Sequence, residues 1–309
     1  LVLAAAFDYR LLTSLQWPLY VVMVAALVAV MVLGQVRGGA AGWFNAGVVF
    51  VQPAELAKVL FVVAFAQYLS SRRERLNRPL TVLGAGLLVA VPMVLIYMQP
   101  DLGTAVVLGA IGAVMLFVAG LSWGYIGASA LAVVLAAPVI WANLQGYMRE
   151  RILIFLDPNS NPDASFNVAQ ALISIGNGGW LGKGFGQGSQ SQLHFLRVRY
   201  ADFIYSVVAE ELGFVGAVAL MLLILAVLWR LFNIADQARD HFGRLVVTGV
   251  IAMILVQSVV SIGMNLGLLP VTGITLPFIS FGGSSLVTVM IGIGLAESVA
   301  MRNRKIEFD

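Results

Sequence analysis

The chain has 309 residues, of which 60% are hydrophobic and 11% are charged, and its formal net charge is +3. Soluble domains have about 25% charged residues, so this composition excludes an ordinary soluble protein and indicates an integral membrane protein. The absence of cysteine excludes disulfides and cysteine nucleophiles, and the two histidines are too few for a histidine metal cluster. The basic residues lie in short segments beside apolar ones, which gives no indication of nucleic-acid binding.

The first residues, LVLAAAF, lack the charged region and cleavage site of a signal peptide. Because the chain begins with Leu1, we expect the stub before Asp8 to be the end of an earlier span and the chain to be N-terminally incomplete. A helix needs about 20 apolar residues to cross the hydrocarbon core. Eight segments approach or reach this length, the last of them rich in Gly and Ser: about 17–34, 53–69, 80–98, 102–120, 123–144, 203–229, 245–268 and 284–301. They predict an all-α polytopic membrane protein whose residues 1–309 form one integral membrane domain.

The distribution of Lys and Arg predicts how these spans are oriented. Short cytoplasmic connections carry the excess of basic residues in membrane proteins. One side collects eleven of them in short connections and the tail: Arg10, Arg72, Arg73, Arg75, Arg78, Arg230, Arg239, Arg244, Arg302, Arg304 and Lys305. We therefore expect that side to be cytoplasmic. The segments Gln99–Gly103, 145–202 and Leu268–Ser285 would then face outward.

Residues 145–202 form a predicted extracytoplasmic loop that is longer and more polar than ordinary connections, and long loops are mostly functional or disordered. Its glycine run, Gly176–Gly188, lacks a Gly and the Ser or Thr that a Walker phosphate loop requires. Two alternatives remain open: a backbone that approaches a ligand beside Lys183, or a plain flexible turn. The second irregular segment, Leu268–Ser285, is expected to re-enter and pack on this loop, because irregular backbone at that depth must be covered.

Glu55 and Lys58 are charges inside a predicted span, where ionisable residues are costly. Pro53 is well placed at the first position of the helix, and the i, i+3 spacing that follows allows the two charges to pair. They can form a self-neutralising structural pair, or the wall of an outward cavity in which Lys58 meets an anionic ligand. Both alternatives remain open.

Asp202 is predicted to begin a helix whose apolar run, Leu212–Trp229, covers about 27 Å. Its carboxylate is therefore expected in or near the membrane interface, where it can stay ionised. At helical spacing Glu210 comes within about 80° of Asp202, and Glu211 points to the opposite face. From the residue alone, a helix N-cap or first-turn acid is the simpler interpretation of Asp202.

Five motifs occur in order along most of the chain: QPAELAKV (Gln52–Val59), QPDLGTA (Gln99–Ala105), GNGGWLGKGFGQGSQSQLHFL (Gly176–Leu196), DFIYSVVAEELGFVG (Asp202–Gly216) and PVTGITLPFISFGGSSL (Pro270–Leu286). Together they resemble the SEDS family (shape, elongation, division, sporulation), the RodA/FtsW group. The GSQSQL and VTG segments are more similar to the elongation type than to the division type. The resemblance implies a ten-span fold of which this chain lacks the first span and most of the second.

The resemblance also implies a peptidoglycan glycosyltransferase of the bacterial inner membrane that polymerises lipid II for cell-wall elongation and cell shape, with its active site facing outward. The implied partners are a class B penicillin-binding protein and other membrane proteins of the elongation complex. The family's essential acid falls on Asp202, which we predict to be catalytic. Residues predicted to bind substrate are Glu55, Lys58, Asp101, Lys183, Gln190, Gln192, Arg197, Arg199, Glu210, Ser284 and Ser285. The sequence identifies no certain cofactor, and assistance by a divalent cation such as Mg²⁺ remains open, since single outward carboxylates can hold one weakly without a dedicated cage.

The chain departs from the family pattern where Gly42 and Phe50 replace arginines of many members and where Ala201 replaces the usual threonine. Arg37, Arg197 and Arg199 are possible substitutes for the missing cations. A transporter or flippase for a lipid-linked precursor and a non-catalytic cell-wall scaffold remain alternatives. A transporter predicts a polar path to the cytoplasmic side, whereas the charged residues of the spans lie mainly in the outer half, with Glu297 as the main exception.

Overall fold

The computed structural model describes residues 1–37, 40–45, 50–192 and 200–302, which are mostly helical. The described residues form twelve α-helices: α1 Val2–Ala6, α2 Gln16–Leu33, α3 Pro53–Ser71, α4 Pro79–Tyr97, α5 Leu102–Ala119, α6 Trp123–Asn143, α7 Gly146–Leu156, α8 Pro162–Gly178, α9 Ser189–Gln192, α10 Ile204–Asp236, α11 His241–Asn265 and α12 Gly283–Met301. Three short strands, β1 Gln35–Arg37, β2 Ala40–Asn45 and β3 Phe50–Val51, pair antiparallel in the order β1-β2-β3.

Eight helices of the described part are long and apolar enough to cross a membrane. They coincide with the eight predicted spans, usually within a few residues at each end. The largest differences are the first span, which begins at Tyr9 where a start near 17 was expected, and α10, which continues to Asp236 where an end near 229 was expected. The prediction of an all-α polytopic membrane protein is confirmed.

The contacts of the chain divide it into two compact units. Unit 1 comprises Leu1–Ala130, Leu228–Val256 and Gly283–Asp309, and unit 2 comprises Leu131–Val227 and Gln257–Gly282. The description of 1–309 as one domain stays a prediction.

Unit 1 is built around α3. Pro53 occupies its first turn, where the missing N–H costs nothing. Side chains on all faces of α3 are buried, and the helix contacts α2, α5 and α12. Phe61 and Phe65 stack at a ring-centroid distance of 5.0 Å within this core. The charged residues of α3 are consequently enclosed by protein.

Unit 2 contains the segment 145–202, and the described part of this segment is largely helical. It folds into α7, α8 and α9 before α10 begins. Ala171 on α8 and Phe203 form a buried cluster with Val168, Val207 and Val271. Since Val168 and Ala171 are three residues apart, they share one face of α8. This face packs α8 on the chain entering α10 and on the segment after α11.

Candidate active site around Asp202

The backbone that carries Asp202 is fixed by hydrogen bonds from the end of α11 and from the segment that follows it in unit 2. The carbonyls of residues 200–202 accept, in order, from Phe281 N at 2.8 Å, Ser280 Oγ at 2.7 Å and Asn265 Nδ2 at 2.8 Å. Ser280 and Phe281 of the segment after α11 thus pack on the end of segment 145–202, as expected, whereas the re-entry of Leu268–Ser285 stays a prediction. The acid is therefore held by its main chain, at three successive residues.

The carboxylate of Asp202 is left available by this arrangement. It precedes the first helical residue of α10, and no described residue donates a hydrogen bond to it, so the helix-cap interpretation is not what the structure shows. A Cβ at Gly273 would lie 3.8 Å from Asp202 Oδ2, which places the glycine backbone beside the acid. Burial raises the pKa of Asp202 to about 6, and the positive charge of Arg151 opposes the rise. Such a group can accept a proton near neutral pH.

Glu210, Lys183 and Gln190 meet at the start of α9. Glu210 is fully buried, and its Oε1 accepts from Ser189 Oγ at 3.2 Å and from Gln190 N at 2.9 Å. The exposed Lys183 donates from Nζ to Ser189 Oγ at 3.3 Å. The direction of Glu210 relative to Asp202 was extrapolated along a regular helix, but α10 begins only at Ile204, and this relation stays a prediction. Glu210 anchors α9.

The glycine run of the loop pairs with a break in α10. Gly213 interrupts the helix with φ 69° and ψ −169°. Lys183 N and Gly184 N donate to the carbonyls of residues 210 and 211 at 3.0 Å each. Gly179 O and Trp180 O accept from the amides of residues 214 and 215 at 2.8 and 3.2 Å. The freed backbone groups of the helix are thus satisfied by the loop. The glycines allow a close backbone approach to α10, and this part of the loop is not a plain flexible turn.

Substitution of Gly182 should weaken this pairing more than substitution of Gly186. Both have positive φ, 79° and 70°, where an L-residue costs about 1–2 kcal/mol. A Cβ at Gly182 would also lie 2.1 Å from the carbonyl oxygen of Glu211, whereas a Cβ at Gly186 meets nothing within 4 Å. We expect Gly182→Ala to lower the melting temperature in detergent and to increase proteolysis of the loop well beyond Gly186→Ala. Equal effects of the two would contradict the pairing.

Glu55 and Lys58 form the predicted ion pair in unit 1, with Lys58 Nζ 2.8 Å from Glu55 Oε1. Lys58 is only 1% exposed, so its ammonium group does not face a ligand space in this structure. Glu55 Oε2 accepts no hydrogen bond from the described residues. Burial favours the structural alternative for this pair over the ligand-binding one.

Asp101 lies in a second polar group of unit 1. It caps α5 by accepting from Thr104 N at 2.9 Å, and it accepts from Gln52 Nε2 at 3.1 Å. Burial raises the pKa of Asp101, opposed by the hydrogen bonds from Thr104. Gln52 N in turn donates to Ser284 Oγ at 3.0 Å, and Ser285 beside it is buried. These contacts tie together three of the five motifs.

Several predicted residues stay untested. Arg197 and Arg199 lie outside the described residues, and the structure gives only the backbone of Gln192 and Arg37. Within the described part, no group of three or more His, Asp or Glu side chains can hold a metal ion, and the prediction of weak Mg²⁺ binding by single carboxylates stays untested. The sequence analysis did not identify three residues that contact or influence Asp202 or its backbone: Asn265, Ser280 and Arg151. Asn265 could have been found from the sequence, because an amide side chain inside a predicted span is costly unless it is hydrogen-bonded.

The fold and the site together define a multi-pass helical membrane protein with a partly buried acid at the start of a span. A family model described as cell cycle protein, FtsW/RodA/SpoVE, matches residues 1–305. The chain belongs to this family, as its motifs predicted.

Individual relatives support the same conclusion. Peptidoglycan glycosyltransferase MrdB of Escherichia coli (strain K12) is 39% identical over 284 residues, which are 91% of this chain and 76% of that protein. Stage V sporulation protein E of Bacillus subtilis (strain 168) is 36% identical over 305 residues, 93% of this chain and 80% of that protein.

Solved structures share the fold. A chain from a structure described as the structural coordination of polymerization and crosslinking by a peptidoglycan synthase complex matches with a TM-score of 0.84 and 36% identity, over 98% of this chain and 85% of that one. The rod shape determining protein RodA of Thermus thermophilus matches with a TM-score of 0.72 and 32% identity, over 98% of this chain and 83% of that one.

Proposed function

We propose that this chain is a peptidoglycan glycosyltransferase that polymerises lipid II into glycan strands for cell-wall elongation. The observation that carries the proposal is the Asp202 carboxylate, which has a fixed backbone, a raised pKa of about 6 and no hydrogen-bond donor among the described residues. The Escherichia coli relative is named a peptidoglycan glycosyltransferase, which supports the reaction class. The Thermus thermophilus relative is named for rod shape, which supports the elongation type.

In the proposed reaction a sugar hydroxyl of the acceptor attacks the anomeric carbon of the lipid-linked donor. The glycosidic bond forms, the bond from the anomeric carbon to the diphosphate breaks, and undecaprenyl pyrophosphate leaves. Asp202 takes the hydroxyl proton as general base, a role that typically contributes about 10²–10⁴-fold. Arg151 and Lys183 supply positive charge in unit 2 for the departing diphosphate. Substrate binding by Asp101, Ser284 and Ser285 stays a prediction.

The proposed partner is a class B penicillin-binding protein that cross-links the new strands. A solved relative belongs to a peptidoglycan synthase complex that coordinates polymerization and crosslinking, which supports this pairing. We place the chain in the bacterial inner membrane with Asp202 on the outer side, on the basis of the eleven basic residues of the opposite side.

Replacing Arg151 should shift the pH dependence of polymerisation. The base must be ionised to accept a proton, so the rate is expected to rise with pH through about 6, the pKa of Asp202, and to level off above it. Arg151 lowers that pKa, and Arg151→Gln should therefore raise it and move the rising limb to higher pH. Arg149→Gln is the matched control, because Arg149 lies on the same helix and donates to the Trp141 and Ala142 carbonyls instead. If the rising limb of the pH–rate profile of Arg151→Gln lies at the same pH as in the parent, the assignment of Asp202 as general base would be contradicted.

Transport of a lipid-linked precursor is the second candidate function. It is favoured by buried polar side chains on α11, where Gln257 and Ser261 precede Asn265 at intervals of four residues. Gln257 Oε1 and Ser261 Oγ have no hydrogen-bond partner among the described residues. The row continues the polar surface into the span from the level of Asp202, as a transport path would require.

Labelled lipid II in proteoliposomes that hold this chain and a class B penicillin-binding protein separates the candidates. A polymerase converts the accessible lipid II into glycan strands, and this product is lost in Asp202→Asn. A transporter moves label between leaflets without polymer. A scaffold does neither. Transport without polymer, or neither activity in the active orientation, would overturn the proposal.

A further inference from the structure

Asn265 at the end of α11 makes four hydrogen bonds with its side-chain amide, and three of them reach the chain at the start of α10. Nδ2 donates to Asp202 O and Ser261 O at 2.8 Å each. Oδ1 accepts from Ser206 N at 3.1 Å and from Ser206 Oγ at 2.7 Å. Asn265 and Ser206 are both fully buried. An asparagine amide offers two donors and an acceptor with two lone pairs, so its hydrogen-bonding capacity is fully used here.

The two backbone groups that the amide joins are the ones that a regular helix would join directly. In an α-helix the N–H of a residue donates to the carbonyl four positions earlier, which for Ser206 is the carbonyl of Asp202. The next bond of this ladder, from Val207 N to Phe203 O, is present at 3.4 Å. The amide of Asn265 thus stands between the two ends of the first missing bond, and regular helix begins only at Ile204.

We infer that Asn265 is a positioning residue, whose side-chain amide is inserted into the first turn of α10 and keeps Asp202 outside the regular helix. Only the expected effect on catalysis rests on the proposed function. The position of Asp202 outside the regular helix does not depend on it. Without the amide, Ser206 N and Asp202 O must either pair directly or remain buried and unpaired. Direct pairing draws residue 202 into the helix and turns its side chain. Leaving the groups unpaired loosens the turn.

The consequence for catalysis follows from the precision that a general base needs. A displacement of about 1 Å can cost about 10²-fold in rate. We expect Asn265→Ala to lower kcat by about 10²-fold while KM for lipid II stays close to that of the parent, because the substrate contacts are kept. Asn265→Ser keeps a polar group on α11, but its side chain is too short to span the two backbone groups. We therefore expect the same loss of kcat at an unchanged KM. Ser261→Ala is the matched control, since it keeps the Ser261 carbonyl that Asn265 uses and removes a hydroxyl without a partner in the described residues.

A second measurement tests the position of residue 202 without enzyme activity. The chain has no cysteine, so Asp202→Cys introduces a single thiol. Its rate of alkylation by a membrane-impermeant maleimide would be compared in the parent, Asn265→Ala, Asn265→Ser and Ser261→Ala backgrounds. A separate Ser160→Cys variant, with its thiol in the exposed part of the loop, would check that the reagent reacts equally well in each background. We expect the rate at position 202 to change in both Asn265 variants, to stay unchanged in Ser261→Ala, and to be constant at position 160.

The outcomes separate the inference from the proposed function. If the parent makes no polymer but the thiol rate at 202 changes with Asn265, the proposed function fails and the positioning role stands. If the parent polymerises lipid II and both Asn265 variants keep its kcat and its thiol rate, the positioning role is overturned. A folded Asn265→Ser that raises KM alone, with the thiol rate unchanged, would likewise overturn it.

Discussion

Replacing Asp202 by asparagine is expected to lower the rate of lipid II polymerisation by about 10²–10⁴-fold, the usual contribution of a general base. The variant keeps the size of the side chain and leaves the backbone hydrogen bonds at residues 200–202 in place. A lower polymerisation rate would therefore be due to the loss of the proton-accepting carboxylate and not to a change in the shape of the site. The measurement is the initial rate of glycan formation by purified chain and partner at saturating lipid II.

The stability of the same variant provides an independent check. The folded-state pKa of Asp202, about 6, lies above its ordinary value of 3.8, so the ionised form at pH 7 disfavours the folded state. The Asp202→Asn substitution removes this penalty and should leave the melting temperature equal to or above that of the parent. Asp157→Asn is the control for a carboxylate of the same loop, because Asp157 is exposed and bonds only to nearby residues of its own turn. A rate for Asp202→Asn equal to that of Asp157→Asn would rule out the catalytic assignment.

Replacing Lys58 by methionine is expected to destabilise the protein by about 3–5 kcal/mol, because it leaves the buried Glu55 carboxylate without its counter-charge. Lys58 Nζ is the partner of Glu55 Oε1, and both side chains are enclosed in the core around α3. Glu55→Gln combined with Lys58→Met removes both charges and should recover most of the loss, since neutral replacement of a buried pair is often tolerated. Thermal and denaturant unfolding in detergent would measure both effects.

The matched control for this prediction is Lys183→Met, whose side chain is exposed and should change stability by no more than about 0.5 kcal/mol. If Lys58→Met were as stable as Lys183→Met but lost activity, the pair would serve substrate binding and its structural interpretation would be wrong. A double variant less stable than Lys58→Met alone would also contradict the account.

The spans could be predicted from sequence because hydrocarbon thickness dictates a length of apolar residues, and the predicted 102–120 corresponds to Leu102–Ala119 in the structure. The loop 145–202 was harder. Its helices are short or carry polar residues, and α8 is held by the contact of Ala171 with Phe203, which lies far along the chain. The break of α10 at Gly213 also depends on a distant partner, the loop backbone that satisfies its free groups.

The candidate site, like the fold, could be predicted from the sequence only in part. Motif resemblance pointed to Asp202 as the candidate acid, and helical spacing allowed the pairing of Glu55 and Lys58 that the structure shows. The geometry around Asp202 could not follow from spacing, since Asn265 and Ser280 lie 63 and 79 residues from their partners. Spacing alone also does not predict that the amide of Asn265 stands where the first hydrogen bond of a regular helix from Asp202 would be.

The most direct test of the account is the formation of glycan strands from labelled lipid II by the purified chain with a class B penicillin-binding protein, with the parent and Asp202→Asn assayed side by side at equal folded protein. We expect a ladder of glycan strands from the parent and none from the variant over the same time. Ladders of equal length and intensity from both proteins would contradict it.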